Sequence, residues 1–342
     1  MKTTIAIVDN LSTDQSSYAQ AVDLLTKGEV VAFPTETVYG LGAIATSEEA
    51  VTKIFKAKGR PQDNPLIVHI GTKEELKAFT RDIPKLAEMC MDAFWPGPLT
   101  LILPLQPFTL AKNVTPGLQT VGVRIPEHTV ALELLKQLKQ PIAAPSANKS
   151  GKPSPTKAAH VYHDLEGKIP LILDGGTTGI GLESTVIDFV TEIPTILRPG
   201  GVTKEMLEKV IGPVNEAKTT DSKDAPRAPG MKYTHYAPDS PVYLIEASIQ
   251  KVKDAVDKLH NEHKKVAIIA SDPFNHIKVD YFFSLGKEDQ LNDAAHLLYQ
   301  ALRNCDETDV DIILVPVLSK EGVGTAIMNR LEKATNGKWF TS

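Results

Sequence analysis

Apolar residues recur along the chain in two rhythms, and each rhythm predicts a kind of element. Over residues 18–27 they keep helical spacing, with Gly28 as a C-cap. Val30-Val31-Ala32-Phe33 is a short continuous apolar run stopped by Pro34, the mark of a buried strand. Ser47-Glu48-Glu49-Ala50 reads as a capped helix start, with Ser47 as N-cap, a body over 50–57 and an end at Gly59 and Arg60-Pro61. Further strands are predicted at 66–70, 99–103, 120–125, 142–144, 171–173, 185–189 and 195–197, and helices at 73–79, 83–91, 129–138 and 203–210. The order is mixed rather than strictly βαβ, which predicts a twisted mixed sheet flanked by helices.

From Gly212 to Ser240 the periodicity fades into Pro, Lys, Asp, Thr and Ser, the composition of a linker. Alternation then resumes: strand 242–245, helix 249–263, strand 265–270, a short strand at 281–285, helix 289–304, strand 310–318, helix 325–334. That pattern predicts a small parallel, Rossmann-like sheet. The expected class is α/β, with an N-terminal mixed-sheet domain over 1–211, a linker over 212–240 and a smaller Rossmann-like domain over 241–342. The length of 342 residues suits two domains.

Composition removes several function classes. Met1-Lys2-Thr3-Thr4-Ile5 lacks the apolar stretch of a signal peptide, and no apolar run approaches the roughly 20 residues that span a bilayer, so the expectation is a cytoplasmic protein without a membrane. The two cysteines, Cys90 and Cys305, stand far apart and suggest packed thiols rather than a disulfide or metal framework. A net charge of -5 argues against strong direct binding to nucleic acid, so any basic site is local.

One such site is Lys56-Ala57-Lys58-Gly59-Arg60, three basic side chains within five residues. They suit a triphosphate, but lysines in a last helical turn also complement the helix dipole without any ligand. Asn64-Pro65-Leu66-Ile67-Val68-His69 leads from a polar loop into a strand ending at a histidine, which is either structural or a ligand group. Pro34-Thr35-Glu36-Thr37-Val38-Tyr39-Gly40-Leu41-Gly42 leaves a strand with two threonines, a carboxylate and two glycines; the glycines permit close ligand approach or an ordinary turn. Ala143-Ala144-Pro145-Ser146-Ala147-Asn148 ends a small-residue strand in a hydroxyl and an amide, groups that hydrogen-bond phosphate or carboxylate oxygens. The glycine-rich stretch from Asp174 to Thr185 lacks both the Gly-Lys-Ser/Thr of a P-loop and a dinucleotide fingerprint. Ala228-Pro229-Gly230-Met231-Lys232-Tyr233-Thr234-His235-Tyr236 carries too many large and basic side chains for an inert spacer. It suits a flap over a nucleotide or an anchor between domains.

Together, Lys58-x-Arg60, Ser146-x-Asn148, the Pro34 to Gly42 loop, Arg198-Pro199-Gly200 and the Pro229 to Tyr236 stretch resemble the YrdC-type threonylcarbamoyl-AMP synthases in their long two-domain form. The resemblance is specific up to Tyr236 and only topological beyond Pro241. It implies a nucleotidyltransferase that converts L-threonine, bicarbonate and ATP into threonylcarbamoyl-AMP and pyrophosphate. The product would pass to the machinery that makes N6-threonylcarbamoyladenosine in tRNA. Carried over by position, Lys56, Lys58 and Arg60 would act catalytically on the triphosphate. Asn64, Thr120, Ser146, Asn148, Ser154 and Arg198 would complete the ATP site, with Tyr236 closing over it. Thr37, His69, Arg124, the backbone at Ala144 and Ser184 would hold threonine, Arg124 pairing with its carboxylate. Mg²⁺ would accompany ATP through phosphates and water, with no protein ligand cluster.

Two other readings compete. A module gripping double-stranded RNA conflicts with the acidic balance. Carbamoyl transfer from carbamoyl phosphate, performed by related domains of hydrogenase-maturation proteins, would bring acylphosphatase and zinc-finger-like segments that this chain lacks.

Overall fold

In the computed structural model, which describes residues 1–8, 15–217, 226–229 and 236–341, the chain opens with β1 (Thr4–Ile7), α1 (Gln15–Thr26), β2 (Val31–Phe33), β3 (Gly40–Ile44) and α2 (Glu48–Lys58). It continues through β4 (Ile67–His69), a 3₁₀ turn (Lys73–Ala78), α3 (Lys85–Phe94), β5 (Leu99–Pro104), β6 (Thr120–Arg124), α4 (Thr129–Leu138), β7 (Ile142–Ala143) and α5 (Ala158–Leu165). Next come β8 (Leu171–Asp174), β9 (Thr185–Asp188), β10 (Thr195–Arg198), α6 (Lys204–Ile211) and β11 (Asn215–Glu216). Among the described residues these strands form one mixed sheet in the order β1-β8-β2-β3-β7-β4-β6-β5-β9-β10-β11.

The period-2 alternation of β2 assigns the layers. Val31 and Phe33 pack with Tyr18, Ala21 and Leu25 of α1 and with Val130, Leu134 and Leu135 of α4. Val30 and Ala32 belong to the opposite core, with Ala50, Val51 and Ile54 of α2, Ala87 and Met91 of α3 and Val161 of α5. The helix start at Ser47 forms as expected: its side chain accepts from the Ala50 amide, and the helix closes on Gly59 at a left-handed φ of 63°.

Gly40 and Gly42, for which the sequence left close ligand approach and an ordinary turn open, lie in a fully buried strand over 40–44. A Cβ on Gly42 would stand 2.6 Å from Ile142 and 2.7 Å from the Phe33 ring, so this glycine supplies room rather than backbone freedom. β1 and α5 also lay outside the sequence expectation.

The second region holds β12 (Val242–Ile245), α7 (Ile249–Asn261), β13 (Val266–Ala270), a 3₁₀ turn (Asp272–Phe274), β14 (Tyr281–Ser284), α8 (Leu291–Asp306), β15 (Ile312–Pro316) and α9 (Gly324–Ala334). Its strands are all parallel, in the order β12-β15-β13-β14. Val252, Val256 and Leu259 of α7 pack on Val266, Ile268 and Leu314.

The chain divides into two compact units: 1–150, 155–179 and 183–232 in the first, and 151–154, 180–182 and 233–342 in the second. The expected linker begins with β11, which adds in parallel to β10. Ala228 is likewise buried among Ile102, Val186 and Leu197, and Arg227 pairs with Asp188 at 2.5 Å. Of the expected flap, Gly230 to His235 lie outside the described residues.

Candidate active site

Strand register puts two polar groups at opposite ends of one short piece of sheet. β4 and β6 run parallel with His69 beside Arg124, so both side chains emerge at the carboxyl ends of their strands. β7 runs antiparallel to β4, and the loop that follows it therefore returns to the other end, near Asn64 and Pro65. β4 spans only three residues, so the two ends are about 7 Å apart. The Pro34 to Tyr39 loop reaches both: Gly40 bridges to Ser146, while Glu36 and Thr37 contact Arg124.

At the His69 end, the buried Arg124 guanidinium donates from Nε to His69 Nε2 at 3.0 Å, from Nη1 to Glu36 Oε1 at 3.1 Å and from Nη2 to Thr37 Oγ1 at 3.0 Å. Thr37 also shares a 2.8 Å bond with Thr35, whose hydroxyl donates to the Val38 carbonyl. Guanidinium carries five N–H groups, so one hydrogen on each terminal nitrogen has no partner among the described residues. His69 accepts at Nε2 and faces the Ile67 carbonyl through Nδ1 at 3.2 Å, which assigns it the neutral Nδ1–H tautomer. Burial first, and the Arg124 charge second, hold its pKa well below the ordinary 6.5. Burial likewise lowers the pKa of Arg124, against the opposing pull of Glu36.

Ser184 stands at the same end, because β5 is antiparallel to β6 and parallel to β9. Its hydroxyl shares a 2.8 Å bond with Thr100, and Arg198 donates from Nε and Nη2 to its carbonyl at 3.1 and 3.0 Å. Gly200 makes this approach possible: a Cβ there would lie 2.3 Å from the Thr185 nitrogen and 2.5 Å from the Glu183 carbonyl. Arg198 also reaches the Pro229 carbonyl at 3.4 Å. It thus braces Ser184, in addition to any part in nucleotide binding. The Ala144 amide, counted among the threonine contacts, donates to the Ile67 carbonyl at 2.9 Å.

The basic cluster divides by geometry. Lys56 is exposed. Lys58 is 2% exposed, and its ammonium donates to the Ser146 and Asn148 carbonyls at 2.5 Å each and to Asn148 Oδ1 at 3.4 Å. These bonds hold the Ser146–Asn148 loop, which gives Lys58 a positioning role beside the phosphate contact expected of it. Ser146 in turn donates to Asn148 Oδ1 at 2.6 Å. Arg60 does similar work on the next loop, donating to the carbonyls of Asn64 at 3.3 Å and Pro65 at 3.0 Å. Asn64 is buried, and its Oδ1 has no hydrogen-bond partner among the described residues. Thr120 is half-buried at the start of β6, across the strand from Arg124.

Two expected members of the ATP site, Ser154 and Tyr236, belong to the second unit. Ser154 is buried. Tyr236 takes a left-handed φ of 68°, stacks on Tyr299 with ring centres 5.3 Å apart, and lies 5.6 Å from the Arg330 guanidinium.

Thr35, Glu36 and Thr100 join the site although the sequence assigned them no role. The first two lie within the loop already singled out; Thr100, an alternate position on a buried strand, carries no such signal. Among the described residues no group of three or more His, Cys, Asp or Glu is placed to hold a metal, and no helix is long and apolar enough to cross a membrane.

Comparison with known proteins covers the whole length. Residues 23–200 match the Sua5–YciO–YrdC family, whose description is telomere recombination, and residues 202–336 match the family described as the threonylcarbamoyl-AMP synthase C-terminal domain. A threonylcarbamoyl-AMP synthase of Bacillus subtilis is 50% identical over 336 residues, covering 98% of this chain and 97% of its own. One from Schizosaccharomyces pombe is 39% identical over 95% of this chain and 90% of its own. The crystal structure of Pyrococcus abyssi Sua5 complexed with L-threonine superposes with a TM-score of 0.94 at 46% identity, covering 99% of this chain and all of that one.

Proposed function

The chain belongs to the threonylcarbamoyl-AMP synthase family, and from that premise we infer how its residues divide the work. It is a nucleotidyltransferase that joins L-threonine, bicarbonate and ATP into threonylcarbamoyl-AMP and pyrophosphate, for N6-threonylcarbamoyladenosine in tRNA. The observation that carries the assignment of residues is the pairing of two polar ends on one three-residue strand, about 7 Å apart.

Threonine binds at the Arg124 end. Its carboxylate takes the two terminal N–H groups of Arg124 that have no partner among the described residues, a bidentate charge-assisted contact. The hydroxyl of Thr37, bonded to Arg124, and that of Ser184, at the same end of the sheet, offer bonds to the substrate's own hydroxyl. The likeness to a Sua5 that binds L-threonine supports this reading.

The triphosphate binds at the other end, along Lys56, Arg60, Asn64, Thr120, Ser146 and Asn148. The buried Asn64 Oδ1, without a partner among the described residues, supports a ligand there, since such an atom costs about 1–3 kcal/mol when nothing binds it. ATP arrives as its Mg²⁺ complex, the ion held by phosphate oxygens and water. Lys58 fixes the loop that lines this site.

With both substrates seated, the threonine amine takes up carbon dioxide from bicarbonate, and the carbamate oxygen attacks the α-phosphorus as pyrophosphate leaves. No enzyme nucleophile is required. Adjacency converts the encounter into an intramolecular step, and fixed donors neutralise developing charge. The reading includes a cytoplasmic location and delivery of the product to the tRNA threonylcarbamoyl-transfer machinery.

Pyrophosphate release from ATP tests the assignment. Release that requires threonine and bicarbonate together is the expected result; dependence on carbamoyl phosphate instead would overturn it.

A further inference from the structure

Glu36 is a carboxylate in a place where the charge count asks for one. It is 7% exposed, its Oε1 accepts from Arg124 Nη1 at 3.1 Å, and its Oε2 has no hydrogen-bond partner among the described residues. The same guanidinium is the group proposed above for the threonine carboxylate, so this inference rests on that reading. An amino acid is a zwitterion, and a cation beside an anion with one open oxygen is its complement.

The two ionisable groups that face Glu36 from inside the cluster, His69 and Arg124, are already committed, and the neighbouring Glu127 is exposed. His69 accepts at Nε2 and faces a carbonyl with Nδ1, so neither nitrogen is open to a substrate proton. Arg124 is a cation. We propose that Glu36 Oε2 is the second half of the threonine site: it pairs with the substrate ammonium and takes its proton during carbamate formation.

The step balances. Threonine enters with an ammonium group, bicarbonate supplies the carbon, and a nitrogen–carbon bond forms as a carbon–oxygen bond of bicarbonate breaks. The departing oxygen leaves as water with one of the nitrogen's protons. A second nitrogen proton passes to Glu36, which ends neutral beside Arg124, and the carbamate carries one negative charge. Burial, the leading influence, raises the Glu36 pKa above the usual carboxylate value and makes it a better acceptor; the Glu127 charge adds a little to the rise, and Arg124 and the amides of Glu36 and Glu127 oppose it without reversing it.

The test compares threonine with 2,3-dihydroxybutyrate of the same configuration, in which a hydroxyl replaces the amine, as calorimetric ligands of the full-length protein. Wild type is expected to prefer threonine by at least about tenfold, the size of a charge-assisted bond. Glu36→Gln, which keeps an oxygen for Arg124, should bring that ratio close to one, lower kcat by about a hundredfold or more, and leave ATP affinity within about twofold. A Glu36→Gln ratio equal to that of wild type overturns the assignment, as does a parallel loss of ATP and threonine binding with a lowered Tm, which marks a purely structural residue. Should Glu36→Gln not fold, Glu36→Asp decides, since withdrawing the charge by one methylene must shrink the ratio. Wild-type protein that releases no pyrophosphate with threonine and bicarbonate defeats the underlying reading instead, independently of any Glu36 variant.

Discussion

Lys56 and Lys58 are two residues apart and chemically identical, yet their environments give them different work. Lys58→Ala strips the Ser146 and Asn148 carbonyls of a buried donor, so an unfolding free energy lower by about 2–4 kcal/mol is expected, together with weakened ATP binding. Lys56→Ala should weaken ATP binding alone, with the urea midpoint unmoved; parallel denaturation and nucleotide titrations of both variants separate the two roles. His69 supplies a pH prediction. Its folded pKa is depressed, so below pH 6.5 the unfolded chain binds the proton that the folded chain refuses, and stability falls as pH falls through that window. His128, whose pKa burial also lowers, acts in the same direction, whereas Glu36, with a raised pKa, opposes it at lower pH. His69→Gln should therefore lessen the loss of stability below pH 6.5 without abolishing it, as read from urea midpoints against pH. Burial also pushes Cys90 and Cys305 up to about 12, in agreement with their reading as packed thiols.

Among the elements, the glycines show what a pattern of types conceals. Gly59 ends α2 at φ 63° with open space around it, and its role as a helix stop was readable from position alone. Gly200 has no unusual φ, and its importance comes from the Glu183–Thr185 backbone lying against it, which no local pattern announces. Two substitutions separate these causes. Gly59→Ala should cost about 1–2 kcal/mol, the penalty of a left-handed side chain, and leave turnover intact. Gly200→Ala has to displace backbone at 2.3 Å, so a loss at the upper end of the roughly 1–3 kcal/mol of overpacking is expected, with a raised KM for threonine as Arg198 and Ser184 shift. Thermal melts and threonine saturation curves check both. The helices and most strands were legible because each carries its own periodicity. β3 was not, because its glycines answer to Phe33 and Ile142, which are distant or only partly local in sequence.

At the scale of the molecule, the second unit is not one stretch of sequence. Residues 151–154 and 180–182 belong to it, and there Arg303 donates to the Pro153 carbonyl while Lys152 pairs with Asp239 at 2.6 Å and Asp306 at 2.9 Å. A fragment over 236–342 loses those partners and is expected to melt below the same unit in the full chain, as differential scanning calorimetry would show. Substrate choice is also set by the assembled site: if the threonine hydroxyl is bonded by Thr37 or Ser184, valine should be rejected, by up to roughly 10⁴-fold in kcat/KM. By itself the sequence determined the α/β class, the helix caps and the short motifs that mark the family, because these depend on neighbours within a few residues. Only the tertiary structure decided that Lys58 holds a loop and that Glu36 and Thr100 lie beside Arg124 and Ser184. Hydrogen bonds across 84 to 90 residues of chain make those assignments, and no local spacing records which distant strands will lie in register.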